Sequence, residues 1–244
     1  MQFKEKTFLI TGGASGIGLG LAIEFLAAGN RVIICGRRPE KLQEAKKKYP
    51  MLETLTGDIQ TKEGRLALSE TVFEKFPDVD VLVNNAGIQR RVNLLQSESW
   101  DLTESEIATN LHAPIHLSQL FLEHLNSKSS AAIMNVTSGL AFVPIARMPL
   151  YCATKAALRS FTMSLREQLS GTAIKVIEII PPAVNTDLGG TGLHTFGVPV
   201  DEFSKAVVSK IFAGEVEVAY GTADNSRRAF QPLTDEIFKR MNAH

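Results

Sequence analysis

Cysteine is nearly absent from the chain. Cys35 and Cys152 are the whole supply, far apart and without a CxxC pair, which excludes a dense disulfide framework and a thiolate zinc site and favours a reducing, cytosolic setting. Nor is one sign of charge in excess. With 26 basic against 26 acidic side chains, there is no electrostatic footprint for nucleic acid or an anionic membrane surface. No apolar run approaches membrane-spanning length, and Met1–Lys6 leads into a predicted strand without the apolar stretch and cleavage site of a signal peptide. Linkers, internal repeats and low-complexity tracts are missing too, so the 244 residues read as one domain, with 44% hydrophobic content ample for a buried core. These exclusions leave a small molecule as the expected partner.

What is present is an alternation of short apolar runs with helical patterns. Thr7–Ile10 reads as a parallel strand covered on both faces. Thr11-Gly12-Gly13-Ala14-Ser15-Gly16-Ile17-Gly18 follows, then a helix with Ile17, Leu21, Phe25 and Leu26 on one face, ending at Gly29-Asn30. In this context a glycine motif becomes a phosphate-binding hypothesis. Glycines let the backbone turn tightly and approach a pyrophosphate, whose charge the N–H groups and dipole of a helix N-terminus bind. The spacing is Gly12-x-x-x-Gly16-x-Gly18 rather than the common Gly-x-Gly-x-x-Gly, and a glycine turn without a ligand is the competing reading. Val32–Cys35 completes a βαβ unit. At its end, where a carboxylate would select NAD, the chain carries Gly36-Arg37-Arg38. Two guanidinium groups there suit the 2′-phosphate of NADP, against the alternative of arginines solvated at a helix start.

Pro39–Lys48 reads as a polar helix and Leu52–Thr56 as a third strand, ending at Gly57-Asp58-Ile59. Asp58 either accepts from an adenine amino group or caps the next helix, about Lys62–Phe76. Val81–Val83 is a fourth strand, delivering Asn84-Asn85-Ala86-Gly87: amides that tie neighbouring turns, and small residues that leave room for a ring or sugar. Arg90 and Arg91 lie either at the site's mouth, where they would attract an anion, or on the surface. A helical stretch over Ser99–Leu125 carries Asn110, His112 and His116. The two histidines have metal-pair spacing, but no HExxH glutamate or third ligand accompanies them, so no metal is expected.

A fifth strand, Ala131–Val136, delivers Thr137-Ser138-Gly139 where ligands of open α/β sheets sit. Tyr151 and Lys155, four residues apart, share a face of the helix that runs to about Leu169, so phenol and ammonium can point at one place. A neighbouring cation favours the phenolate, which makes the pair a proton donor and acceptor. A hydroxyl at Ser138 would hold a carbonyl oxygen while the tyrosine protonates it. A serine nucleophile is the rival chemistry, but Gly-x-Ser-x-Gly is missing. Ile174–Ile180 forms a sixth strand leading to Pro181-Pro182-Ala183-Val184-Asn185-Thr186, whose backbone suits a flat carboxamide ring. The glycine-rich Gly189–Gly197 is expected to be a mobile lid, within about 187–200. Asp201–Phe212 reads as a helix, Glu215–Tyr220 as a last strand and Leu233–Met241 as a terminal helix. Nothing in the sequence explains Glu178, set inside an apolar run.

Jointly, Thr11-Gly12-x-x-x-Gly16-x-Gly18, Asn84–Gly87, Asn110, Ser138, Tyr151-x-x-x-Lys155 and Pro181–Thr186 resemble the short-chain dehydrogenase/reductase family, in its order and spacing over nearly the whole chain. Within it, Gly87–Arg91, Ile179–Leu188 and Leu193–Gly197 resemble the DltE-like bacterial oxidoreductases. The resemblance implies a single Rossmann-type α/β domain: a doubly wound parallel sheet of about seven strands with helices on both faces. It also implies a nicotinamide cofactor across the strand ends. It assigns Tyr151 as general acid or base, Lys155 as ribose ligand and cation, Ser138 as carbonyl anchor and Asn110 as part of a proton relay. Gly12, Ser15, Gly16, Ile17 and Gly18 of the glycine turn would bind the cofactor; Asp58 and Ile59 would hold the adenine, Asn85 and Gly87 line the ribose, and Val184 and Thr186 bind the carboxamide, with Ala86 and Pro181 also against the cofactor. Pro182 departs from the family's usual Pro-Gly.

The expectation is a cytoplasmic NADP(H)-dependent oxidoreductase acting on a carbonyl or alcohol, assembled as a homodimer or homotetramer through the helices of Asn110 and Tyr151. His194, Phe196, Arg90 and Arg147 are expected around the substrate. The rivals are a nucleotide-binding regulator or scaffold without turnover, and an NAD(H)-dependent dehydrogenase.

Overall fold

A computed structural model describes residues 3–96 and 99–230. Seven parallel strands form one sheet in the order β3-β2-β1-β4-β5-β6-β7. They are β1 Thr7–Thr11, β2 Arg31–Gly36, β3 Glu53–Thr56, β4 Val79–Asn84, β5 Ala131–Val136, β6 Ile174–Ile180 and β7 Glu217–Ala219. Between them run α1 Gly16–Ala27, α2 Pro39–Lys48, α3 Lys62–Lys75, α4 Trp100–Ile107, α5 Ala113–Asn126, α6 Pro149–Gln168, α7 Val200–Phe212 and α8 Thr222–Phe230.

The strands read as continuous apolar runs because they feed two cores at once. Phe8 and Ile10 of β1, Val32 and Ile34 of β2, and Val81 and Val83 of β4 face α1, α2 and α7. The residues between them, Leu9, Ile33 and Leu82, face α3, α5 and α6. This two-sided burial is the pattern of a parallel sheet covered by helices. Phe25 of α1 lies fully buried against Phe8, ring centroids 4.1 Å apart.

The predicted helix over Ser99–Leu125 is one rod with a defect: α4 passes into a π-helical turn, Ala108–His112, before α5. Apolar periodicity runs through the extra residue, so the sequence conceals it. The last strand is shorter than Glu215–Tyr220, and α8 follows it unannounced. That helix is polar and held by its own charges, Asp224 pairing with Arg227 at 3.0 Å and Arg228 at 2.7 Å, so it carries little apolar signal. The terminal helix expected over Leu233–Met241 lies outside the described residues.

Replacing Phe25 with alanine removes the largest side chain at the α1–sheet contact. Chemical denaturation should show a loss of about 3–5 kcal/mol, the usual cost of deleting a buried aromatic ring.

Candidate active site

The strand order reverses beside β1: its neighbours are β2 and β4, and the chain leaves β1 one way and β4 the other. Such a switch point opens a crevice beyond the carboxyl ends of the strands. A cleft of about 1140 Å³ lies there, a volume suited to a nucleotide rather than a single small metabolite.

The glycine turn forms its floor. Gly12 has φ +64°, and a Cβ on it would stand 2.8 Å from the Ala86 Cα, so only glycine lets the β1 and β4 turns approach. Asn85 locks the approach, its Nδ2 donating to the carbonyls of Thr11 and Gly12 at 2.9 and 3.2 Å. Gly18 lies beneath, where a Cβ would run into Asn85 Nδ2 and the Gly12 carbonyl. Gly16 (φ +52°) opens α1 opposite Thr186. The first turn of α1 has no acidic residue, and Ser15 makes no side-chain cap. The orphan N–H groups of that turn therefore face the cleft with the positive end of the helix dipole, as an anion requires.

Further along, Arg37 and Arg38 line the cleft beyond β2, both exposed. Arg37 donates to Gln60 Oε1 at 3.3 Å. Asp58 and Ile59 line the same end. Asp58 does not cap α3: Thr61 does, accepting from the Gly64 N–H, and Asp58 instead accepts from the Gln60 N–H at 3.0 Å. Arg65 secures this turn, reaching the carbonyls of Ile59 and Gln60 and donating to His116 Nδ1 at 2.9 Å. His116 is thus a hydrogen-bond acceptor for Arg65. Among the described residues no group of three His, Cys, Asp or Glu is placed to hold a metal.

At the opposite end Tyr151, Lys155 and Ser138 meet. Tyr151 and Lys155 both line the cleft yet are almost wholly buried. The Lys155 ammonium donates to the Val136 carbonyl at 2.8 Å and sits 5.6 Å from the Tyr151 ring centre. Burial pushes it down to about 8 from its ordinary 10.5. Burial also pushes the Tyr151 phenol up; a hydrogen bond with Ser138 pulls it back in part, and Cys152 and Glu106 add smaller upward pushes. Burial, rather than the neighbouring lysine, therefore sets the direction for the phenol. Ser138 itself accepts from the Leu140 N–H at 3.1 Å. Asn110 sits in the π turn, its Oδ1 accepting from the Ile88 N–H and its Nδ2 donating to the Ile88 carbonyl, each at 2.8 Å. A Cβ on Gly87 would lie 3.5 Å from Asn110 Oδ1 and 3.7 Å from Lys155 Nζ.

Pro181 and Thr186 line the cleft, but the Val184 side chain is turned into the core facing α7. Val184 bridges Val198 through the Ala183 carbonyl and the Asn185 N–H, which leaves the Val184 N–H outside the bridge. The bridge closes the loop over residues 185–197. Asp187, Leu188 and Gly189 of that loop line the cleft, whereas His194 is turned inward and Phe196 faces solvent. Arg147 is exposed and also lies outside the lining. Arg90 does line it, but as part of an ion pair: its Nε meets Oε2 of the fully buried Glu106 at 3.2 Å. Sequence reasoning missed Glu106; its position on α4, sixteen residues from Arg90, gave no local signal.

The sheet order, the glycine turn and the cleft define a Rossmann-type α/β protein. Residues 6–194 match the family model described as short chain dehydrogenase. The chain is 42% identical over 248 aligned positions to the uncharacterized oxidoreductase DltE of Bacillus subtilis, covering 99% of this chain and 98% of that one. It superposes at a TM-score of 0.83 on a short chain dehydrogenase from Burkholderia cenocepacia solved with NADP, with 25% identity and all of both chains covered. The TM-score is 0.84 to a short chain dehydrogenase/reductase from Burkholderia phymatum solved with NAD, at 18% identity, over 99% of this chain and 96% of that one. The chain belongs to the short-chain dehydrogenase/reductase family of oxidoreductases.

Burial of Lys155 makes the stability of the fold depend on pH. Below about pH 8 the ammonium is charged in folded and unfolded chains alike, and the fold bears the full cost of its burial. Between about 8 and 10.5 the folded chain sheds the proton first, the unfolded chain binds more protons, and stability rises with pH. Urea midpoints measured without added nucleotide should show the native chain gaining on Lys155→Met from about pH 8 upward.

Proposed function

We propose that the protein is an NADP(H)-dependent oxidoreductase acting on a carbonyl or alcohol carbon, with Tyr151 as general acid or base. The observation that carries this reading is the meeting of the Tyr151 phenol, the Ser138 hydroxyl and the Lys155 ammonium at one end of a cleft whose other end holds a glycine turn and two arginines. The nicotinamide supplies or accepts the hydride.

The protein's part is to bind, orient and manage the proton. Gly12 and the first turn of α1, Ser15 to Gly18, hold the diphosphate. Arg37 and Arg38 take the 2′-phosphate, Asp58 and Ile59 the adenine, and Asn85, Ala86 and Gly87 the ribose. Pro181, the Val184 N–H and Thr186 receive the carboxamide. Lys155 turns its ammonium to ribose hydroxyls. In the reductive direction Ser138 anchors the carbonyl oxygen and Tyr151 gives it a proton. The phenol is protonated at neutral pH even at its ordinary value of 10, the form a donor needs, and burial pushes it further that way. In the oxidative direction the phenolate must form, and a charged Lys155 nearby offsets its cost. Asn110 holds the Ile88 turn against Lys155 and sits in the path by which the proton returns. Loop 185–197 closes over the substrate, and a homodimer or homotetramer in the cytoplasm belongs to the same reading.

Tyr151→Phe should lower NADPH oxidation on a carbonyl panel by about 10²–10⁴-fold, the usual worth of a positioned acid, with NADP binding by calorimetry unchanged. Wild-type turnover in that variant contradicts the mechanism, and nucleotide binding without any hydride transfer favours a regulator. Arg37→Ala should weaken NADP about tenfold or more, the worth of a charged hydrogen bond, and leave NAD unaffected; equal loss for both nucleotides contradicts the NADP assignment.

A further inference from the structure

Glu178 has no explanation in the sequence, and the sheet supplies one. Parallel register places Asn84 of β4 beside Asn135 of β5, Asn135 beside Glu178 of β6, and Glu178 beside Glu217 of β7. Four adjacent strands thus carry one polar row at the same level, running from the last residue of β4 to the first of β7. Helices supply the partners. Asn84 Nδ2 donates to Asn135 Oδ1 at 2.9 Å, and Asn135 Nδ2 to Thr162 Oγ1 of α6 at 2.9 Å. Glu178 Oε2 accepts from Arg159 Nη1 at 2.6 Å, and Glu217 Oε1 from Arg166 Nη1 at 3.1 Å.

Thermodynamics alone does not call for such a row, since well-packed apolar residues often replace a buried ion pair without loss. Its geometry gives it a use. Arg159 follows Tyr151 and Lys155 on one stripe of α6, at steps of four residues. Its guanidinium lies 4.2 Å from the centre of the Phe142 ring, directly after the 3₁₀ turn Gly139–Ala141 that Ser138 opens. The second oxygen of Glu178 accepts from Thr137 Oγ1 at 2.7 Å. Thr137 precedes Ser138 and lines the cleft, and its N–H is bound by the Ile179 carbonyl at 2.9 Å. One fully buried carboxylate therefore joins the α6 stripe to the residue before Ser138.

We infer that Thr137, Glu178 and Arg159 form a positioning unit that locks Ser138 to the Tyr151–Lys155 face of α6 and governs turnover rather than cofactor binding. The inference rests on the function proposed above. A helix can slide on a flat apolar face with little penalty, and one turn of slip moves a side chain by about 5.4 Å. A charged pair with no water to replace it admits a single register. Reacting groups misplaced by about 1 Å lose on the order of 10²-fold in rate.

The test uses the full chain with Thr137→Val, which keeps the shape and removes only the hydroxyl link. Its kcat should fall about tenfold or more while NADP affinity by calorimetry stays at the native value, and Thr137→Ser should restore most of that kcat. The double replacement Glu178→Gln with Arg159→Met removes both charges together and should reproduce the Thr137→Val result. A readout independent of turnover is amide exchange at Leu140, whose N–H the Ser138 hydroxyl holds; it should quicken in Thr137→Val and not in Thr137→Ser. Native kcat and native exchange in Thr137→Val overturn the positioning unit, as does a lowered melting temperature with kcat intact. Tyr151→Phe assayed alongside separates the readings: full activity there overturns the catalytic assignment, whatever the threonine variants do.

Discussion

An ammonium held almost out of water beside a buried phenol sets the terms for the molecule. Desolvation disfavours the charge on Lys155 and the negative form of Tyr151 alike, so neither group would stay in place unless the surrounding fold fixed it. The fold does so from several directions. The Val136 carbonyl at the end of β5 takes the ammonium, Ser138 two residues on takes the phenol, and the π turn around Asn110 brings Ile88 and Gly87 against the lysine. All of these lie where parallel strands end, the one edge of such a sheet at which backbone groups, loops and helix starts converge.

The charges of the chain cancel overall, so its net charge draws no ligand in. Attraction in the cleft is local: the N-terminal turn of α1, which holds no acidic residue, the exposed guanidinium groups of Arg37 and Arg38, and the Lys155 ammonium, charged below about pH 8. Three further arginines are committed to structural partners. Arg65 holds the Ile59–Gln60 turn, Arg90 is paired with Glu106, and Arg159 with Glu178. The polar row from Asn84 to Glu217 bonds to Ser118 of α5 and to Thr162, Arg159 and Arg166 of α6. It keeps specific hydrogen bonding one layer deeper than the groups that face the cleft.

Much of this was legible in the sequence. Strands buried on both faces announce themselves as unbroken apolar runs, and the strand-glycine-helix order located the β1 turn with Gly12, Gly16 and Gly18 in place. The i, i+4 spacing of Tyr151 and Lys155 put both on the face that lines the cleft. Features that depend on pairing between distant elements were hidden. Glu178 looked anomalous because its partners, Arg159 and Thr137, are defined by strand register and helix packing. Arg90 read as a free cation because Glu106 lies on the next helix. The π turn left no trace in the hydrophobic period. His194 and Phe196 were read as pocket residues because a loop's side-chain directions follow from its tertiary anchor, the Val184–Val198 bridge, and not from its glycine content. The tyrosine's direction was hidden for a related reason: the neighbouring cation is visible in the sequence, whereas the depth of burial that raises the phenol is not.

The most direct measurement is the titration of the Lys155 ammonium by nitrogen NMR, with and without NADP, assigned by comparison with Lys155→Met. Alone, the group should titrate at about 8. With NADP bound, ribose hydroxyls and the nearby diphosphate charge should move it upward, since both favour the charged form. A lysine that titrates at its ordinary 10.5 without nucleotide, or one that ignores saturating NADP, would contradict the account.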